Sequence, residues 1–598
     1  MSASFAGRLT RGMVAGLLAV LLTGCGSRES ARPAHPLPAP PFQAAGEPGR
    51  SGGEFVLSLS SNPRTFNPLL AFDAASDAVT RLLHSSLIRL DWTTQEIVPG
   101  LAHSWSVAPD QKTWTFNLRR GLHWSDGAPL TAADVVFTWN EVMYDREFNR
   151  LTPDLFRIQG KPFEVTAPDE LTVRVVTPEV FGPFLEFFGS VAILPKHILE
   201  PAVKQGRFAS VLAVNSTPAR VVGCGPFRLK EFVPDKHVRL ERNPEYWAAD
   251  RAGNRLPYFE TVRFAIDPSP GSDTVLFLAG KTHALDALRF EAVERCEQAA
   301  PQSGVRVLNL GAGVERDFLW FNQNTGTNAA GRPLVAPAKL RWFRNQTFRQ
   351  AVSCAIDRAR IVREACAGRA QPIHTFIGAE NRRWSNPAVP VFEFNLERAR
   401  ALLAEVGLVD RDGDGVREDA QGVPVEIQMF CNTGNPFREK AAALIAEDLR
   451  HAGLKLNTAA ISFRELVEKI NVTFDYECAL MGLGGGGLDP ASQLNVLRSS
   501  EDLHQWFPRQ SAPSTPWEAR LDALMDAQMR TLDFAERKRA FDEVQMILAE
   551  QLPMIYILSP VAYAGVRAEI GNVRPSALTP YRVTWNLEEL FFRSPSRD

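Results

Sequence analysis

Apolar positions along this chain fall into two periods, and each predicts its own kind of element. Residues 54–60 (EFVLSLS) alternate as a half-buried strand does, and Pro63, Asn67 and Pro68 break the pattern. Residues 114–118 (WTFNL) predict another strand, followed by a turn holding Gly121, Asp126 and Gly127. Thr131 with Asp134 three residues on has capping-box spacing and opens a helix whose apolar face is Val135, Val136, Trp139, Val142 and Met143. The best-defined unit comes later. Residues 425–430 are apolar and extended, then Phe437, Ala441, Leu444, Ile445 and Leu449 share one helical face, with Gly453 placed to end the helix. Extended residues 454–461 complete a parallel strand–helix–strand crossover, the unit of an α/β sheet. Residues 474–481 predict a further strand. Asp533 and Glu536 start a helix with Phe541, Val544, Leu548 and Leu552 on its buried side, and Pro553 stops it. Residues 554–558 (MIYIL) form a late strand that returns the chain to a sheet begun earlier. No internal repeat is visible.

At 598 residues the chain exceeds one hydrophobic core and predicts two or three domains. Its 45% hydrophobic and 22% charged residues are ordinary for folded proteins, and a net charge of −2 supplies no field for nucleic acid. The ten histidines show no HxH or HExxH spacing, and there is no GxSxG elbow, phosphate loop or helix-opening GxGxxG. Nothing selects an acid–base pair from the 68 acidic residues, so the chain reads as a non-enzyme.

The N-terminus carries an export pattern. Arg8 and Arg11 precede an apolar run at 13–22, about half the ~20 residues a membrane-spanning helix needs, so 1–24 reads as a signal peptide. Leu22-Thr23-Gly24-Cys25 resembles the bacterial lipobox, which implies acylation of Cys25 and a lipid anchor on the periplasmic or cell-surface side. Residues 25–52, rich in Pro, Ala and Gly, are predicted to be a flexible tether. Six further cysteines stand at 224, 296, 354, 366, 431 and 478. Cys431 and Cys478, each in a predicted strand, pair if those strands are neighbours, whereas one helix would hold Cys354 and Cys366 about 18 Å apart. Buried free thiols are the alternative for all six. Without a CxxC or Cys/His cluster, no structural zinc is predicted.

The stretch 98–139 resembles the bacterial extracellular solute-binding proteins of family 5, the peptide, nickel and oligosaccharide receptors of ABC importers. The blocks are Pro99-Gly100-Leu101-Ala102, Ser104-Trp105, Trp114-Thr115-Phe116, Trp124-Ser125-Asp126-Gly127 and Leu130-Thr131-Ala132 with Asp134-Val135. They continue in order through Gly223-Cys224-Gly225-Pro226-Phe227, Asn243-Pro244-Glu245-Tyr246-Trp247, Phe321-Asn322, Ala355-Ile356-Asp357-Arg358, Glu536-Arg537-Lys538 and Leu552-Pro553. The resemblance implies a two-lobed α/β periplasmic-binding-protein fold. The first lobe takes 53–315 plus 556–598 with an extra subdomain, and the second takes 316–555. It further implies a monomer that closes on a peptide or other extended polar solute, makes no covalent change to it, and is read by an inner-membrane ABC permease. A nickel chelate or an oligosaccharide is the alternative ligand, and a surface hydrolase or a sensor the alternative class.

Candidate ligand residues are Trp320 and Asn322 at the hinge block, Trp384, and Trp506 after the glycine run; an ordinary core tryptophan is the alternative for each Trp. In peptide-binding members an aspartate three residues before an acidic-Pro pair holds the ligand's α-ammonium. Here the pair is Asp489-Pro490 and the matching residue is Gly486, which carries no charge. Gly485 and Gly486, in the run 484–487, either bring backbone N–H groups close to a ligand or form a flexible loop. Asp410, Asp412 and Asp414, followed by Gly415, match the first half of a calcium loop, but Gln421 replaces the glutamate at its twelfth position. A structural calcium or an acidic solvated turn are the two readings. No other cofactor is predicted.

Overall fold

The alternation at 54–60 is a strand, Glu54–Leu59, with Phe55, Val56 and Leu57 buried. It closes one edge of a four-stranded sheet whose order is Phe227–Val233, His237–Arg242, Thr261–Ile266, Glu54–Leu59, the last pair parallel with Thr261 opposite Glu54. The computed structural model describes residues 34–145, 156–484 and 487–593. The expected signal peptide, Cys25, Gly485 and Gly486 lie outside these residues.

Thr131 caps the helix Ala132–Phe137 with both capping-box bonds formed. A second four-stranded sheet, antiparallel throughout, runs Ala102–Val107, Thr113–Leu118, Thr172–Val176, Glu164–Thr166. In the second lobe the crossover is present as Glu426–Asn432, Pro436–His451, Lys455–Ile461, with the strands parallel and Gly453 at φ 86° ending the turn. The strand predicted at 474–481 is Cys478–Leu483. The preceding turn Lys469–Thr473 is helical and Phe474 takes a left-handed φ of 55°, which delays the extended backbone.

The late strand is longer than its hydrophobic run suggests. Met554–Arg567 pairs first with Arg316–Phe321 and then with Val305–Ala312. Ile555, Ile557 and Leu558 therefore belong to a core that also holds Leu319 and Phe321. Ala564 and Val566 belong to a different core with Phe55 and Val262. The chain thus returns to the first lobe at 559–561, later than the expected 555/556 boundary, because strand pairing carries it three residues further. The two crossings are tied: Gly313 N–H donates to Pro560 O (3.0 Å) and Ser559 Oγ to Gly313 O (3.1 Å).

One expectation is corrected, and one open alternative is decided. The tether predicted over 25–52 is, from His35 onward, a strap docked on the first lobe. Phe42–Gln43 pairs in parallel with Ala248–Ala249, Ala44 is buried, and Ala39 exchanges backbone hydrogen bonds with Arg120. The strap needs no core of its own, because the lobe's core accepts its few apolar side chains and satisfies its backbone. Cys431 and Cys478 lie in neighbouring strands yet are not bonded, and all six cysteines are buried free thiols. Register places Met429, not Cys431, opposite Cys478. Among the described residues no helix is long and apolar enough to cross a membrane.

Candidate functional site

The lobes meet along a line of direct bonds. Gly182 N–H donates to Met529 O (2.6 Å), Gln95 Nε2 to Glu380 O (2.7 Å), and an Arg382 guanidinium nitrogen to Thr93 O (2.7 Å). Between these contacts runs a crevice. One part encloses about 170 Å³, with Trp114, Gln95, Leu185 and Glu186 on the first-lobe wall and Arg383, Trp384, Phe534, Asp489 and Arg537 on the second. Another part, about 580 Å³, lies between 157–160 and 179–181 on one side and 491–501 and 526–530 on the other. Phe181 and Gly182 adjoin in the chain and line one part each. The larger part has the size of a ligand site rather than a packing fault.

The polar groups of the narrow part have distinct states. Asp489 caps the turn Pro490–Gln493 and pairs with Arg537 at 2.7 Å, both side chains being buried. Arg537 is also bonded to Gln528 and lies over the Trp384 ring, 5.1 Å from its centroid. Glu186 faces Asp489 across the lobe boundary. Burial, and then the Asp489 charge, push its carboxyl up to about 7, against the pull of Arg537 and Arg383. Trp114 and Gln95 line this space, and Trp114 Nε1 and Gln95 Oε1 are buried without a hydrogen-bond partner among the described residues. A buried unpaired donor or acceptor costs about 1–3 kcal/mol.

Of the residues singled out from sequence, Trp384 and Asp489 are brought together here. Gly487, the end of the glycine run, abuts Glu186: a Cβ there would stand 3.0 Å from Glu186 Oε1. Trp320, Asn322 and Trp506 are not at the crevice. Trp320 is fully buried in the second-lobe core with Nε1 bonded to Tyr476 Oη, and Asn322 donates to Phe474 O and Tyr476 O. Trp506 is buried with Nε1 on Glu518. These side chains have their polar atoms satisfied internally, which leaves them nothing to offer a ligand. Glu186, Arg383 and Arg537 were missed, since single charged residues in apolar surroundings carry no sequence spacing.

The acidic loop gains a member. Asp410, Asp412, Asp414 and buried Glu418 each bring a carboxylate oxygen within 4.8 Å of the others. Backbone N–H groups of Gly413, Asp414, Gly415 and Val416 donate to the three aspartates, and that of Arg411 to Glu418.

A family model described as Bacterial extracellular solute-binding proteins, family 5 Middle, matches residues 96–505. The chain belongs to this family. It is a solute-binding protein, not an enzyme, and its two-lobed α/β fold is the family's. A probable ABC transporter-binding protein of Deinococcus radiodurans is 26% identical over 553 residues, covering 89% of this chain and 91% of that one. The oligopeptide-binding protein AppA of Bacillus subtilis is 24% identical over 585 residues, 96% of each chain. Its structure in complex with a nonapeptide superposes with a TM-score of 0.64 at 22% identity, covering 92% of this chain and 100% of that one. MelB of Agrobacterium fabrum in complex with stachyose gives 0.68 at 22% identity, covering 92% and 87%.

In this solute-binding protein Glu186 is expected to make closure of the lobes pH-sensitive. Its carboxyl, raised from 4.5 to about 7 in the shut crevice, favours closure while protonated. That contribution is complete below the ordinary value of 4.5 and is lost as pH rises through 7. Small-angle scattering of the unliganded protein is expected to show expansion between pH 5 and 8. Glu186→Gln, permanently neutral, should stay compact over that range; an equal expansion of the variant would remove Glu186 as the cause.

Proposed function

We propose that this chain is the receptor of an ABC importer, exported and anchored through Cys25, that captures an extended polar solute, foremost a peptide, between its lobes and delivers it to a membrane permease. The observation that supports this reading best is the crevice between the lobes, its narrow part lined by aromatic Trp114 and Trp384 and by polar Gln95, Glu186 and Arg383, with a larger part beside 491–501. Backbone amides of a peptide offer both a donor and an acceptor to such a wall. The AppA relative is named as oligopeptide-binding and the D. radiodurans relative as ABC transporter-binding, which favours the same class.

Recognition of a peptide's α-ammonium differs from the family pattern. Position 486 is glycine, and Asp489 is already neutralised by Arg537. Of the two carboxylates lining the narrow part, Glu186 is the one offered to a ligand cation. An ammonium beside it would lower its raised pKa and offset its burial.

The test is native mass spectrometry of the protein purified without denaturation, followed by calorimetry. A co-purified peptide, bound at least tenfold more tightly with a free than an acetylated N-terminus, supports the reading, and Glu186→Gln should erase that preference. Retention of an oligosaccharide or a metal chelate, or turnover of the bound solute, would overturn it. Replacement of Cys25 by Ser should move the protein from the membrane to the soluble fraction.

The convergence of Glu418 with the three aspartates supports calcium as the occupant of the acidic loop. Millimolar calcium added to chelator-stripped protein is expected to raise Tm by a few degrees, and Asp412→Asn to abolish the rise. An unchanged Tm would leave the loop an ordinary acidic turn.

A further inference from the structure

The docked strap brings His35 onto the first lobe, away from the crevice, beside two metal-ligating side chains from segments remote in sequence. His123 lies in the turn after Thr113–Leu118, and Glu245 in the loop after His237–Arg242. The His35 and His123 rings are stacked, with centroids 3.7 Å apart and planes within 5°. His35 Nδ1 is 3.1 Å from Glu245 Oε2, and one ligating atom of each of the three residues lies within 4.8 Å of the other two. We propose that His35, His123 and Glu245 form a site for a divalent transition ion of the zinc class, which clips the strap to the first lobe.

The donor set argues for this class of ion. Calcium takes six to eight oxygens, whereas two imidazoles and a carboxylate suit zinc, nickel or copper. Two His and one Glu are a known three-protein-ligand set for zinc, whose fourth position is left to water. Zinc–ligand bonds of about 2.0–2.2 Å place neighbouring donors about 3.3 Å apart in a tetrahedron. The His35–Glu245 pair already stands at that distance; His123 lies within 4.8 Å and must swing out of its parallel stack with His35 to aim its in-plane lone pair at the same ion.

The surroundings hold the ligands while leaving an entrance. The Glu245 side chain is 7% exposed and that of His35 26%, so the carboxylate is sheltered and the imidazole edge reachable. Glu245 N–H is fixed by Asn243 Oδ1 (3.0 Å), and Asn243 in turn donates to Gly225 O (2.8 Å). His35 N–H also donates to the Glu245 carboxylate (3.2 Å). Arg255 is the cation beside Glu245 and opposes a metal. Its guanidinium is committed to two carbonyl oxygens, of Pro244 and of His35, and so fixes the strap instead of occupying the carboxylate.

Only the docked strap presents all three donors, so an ion bound there stabilises docking by mass action. Because the imidazoles must be neutral to ligate, protons compete with the ion for the site.

The experiment is a calorimetric titration of the untagged, chelator-stripped protein with zinc chloride at pH 7.5. One ion per chain at micromolar Kd or tighter is expected. His35→Ala and His123→Ala should each weaken it at least tenfold, and Asp412→Asn in the acidic loop should leave it unchanged. Cobalt in place of zinc should give the visible absorption of a four-coordinate site, and limited proteolysis within 35–52 should slow on loading. Binding weaker than millimolar in the parent protein would overturn the proposal. So would parent-like affinity in both histidine variants, with far-ultraviolet circular dichroism showing them folded.

Discussion

Arg537→Met is expected to destabilise the second lobe by about 3–5 kcal/mol, because it leaves the Asp489 carboxylate buried and uncompensated. The Asp489 and Arg537 side chains are 6% and 7% exposed, so water replaces the lost partner only in part. The variant also orphans Gln528, whose carbonyl and side-chain oxygens both accept from Arg537, and removes the cation over Trp384. Asp489→Asn combined with Arg537→Met should recover more than half of the loss, since the double variant buries no lone charge. Urea unfolding followed by tryptophan fluorescence at pH 7 measures both. A single-variant loss below 1 kcal/mol would show that solvent reaches this pair. The same substitution removes a cation near Glu186, so closure should become still more acid-dependent.

Glu518→Leu is expected to cost at least about 3 kcal/mol, since each orphaned buried donor costs about 1–3 kcal/mol. The carboxylate accepts from Trp506 Nε1 (2.9 Å), Gln510 Nε2 (2.8 Å), Ser514 Oγ (2.8 Å) and Thr515 Oγ1 (2.7 Å), with His504 Nε2 at 3.4 Å. Burial alone would raise its pKa. The bonds from His504, Gln510, Thr515 and Trp506 outweigh burial and bring it from 4.5 to about 2. A depressed carboxyl stabilises the fold above its ordinary value, so this contribution, about 3 kcal/mol, is whole above pH 4.5 and lost as pH falls to 2. Urea midpoints between pH 5 and 2.5 should fall more steeply in the parent than in Glu518→Gln. Parallel slopes would assign the acid sensitivity elsewhere.

The features read correctly from the chain are those whose cause is local. The Thr131 capping box, the Pro436–His451 helix with its Gly453 stop and the Asp533 cap each depend on a few adjacent residues. The tryptophans were legible as apolar but not as wall or core. Trp384 and Trp506 have the same chemistry, and what separates them is that Trp506 finds Glu518 while Trp384 faces the crevice beside Arg537. The strap was misjudged for a related reason. Composition tests whether a segment builds its own core, and 35–52 instead borrows the core of the first lobe through Phe42 and Ala44.

Hydrophobic period and capping chemistry by themselves determined the succession of strands and helices, and ordered motifs the family, because each acts within a turn or two of backbone. Three-dimensional packing alone decided where the two chain crossings lie, which carboxylates confront each other as Glu186 and Asp489 do, and that His35 meets His123 and Glu245. Those encounters join segments separated by scores of residues, and their free energy comes from desolvation and charge pairing that exist only once the cores have closed.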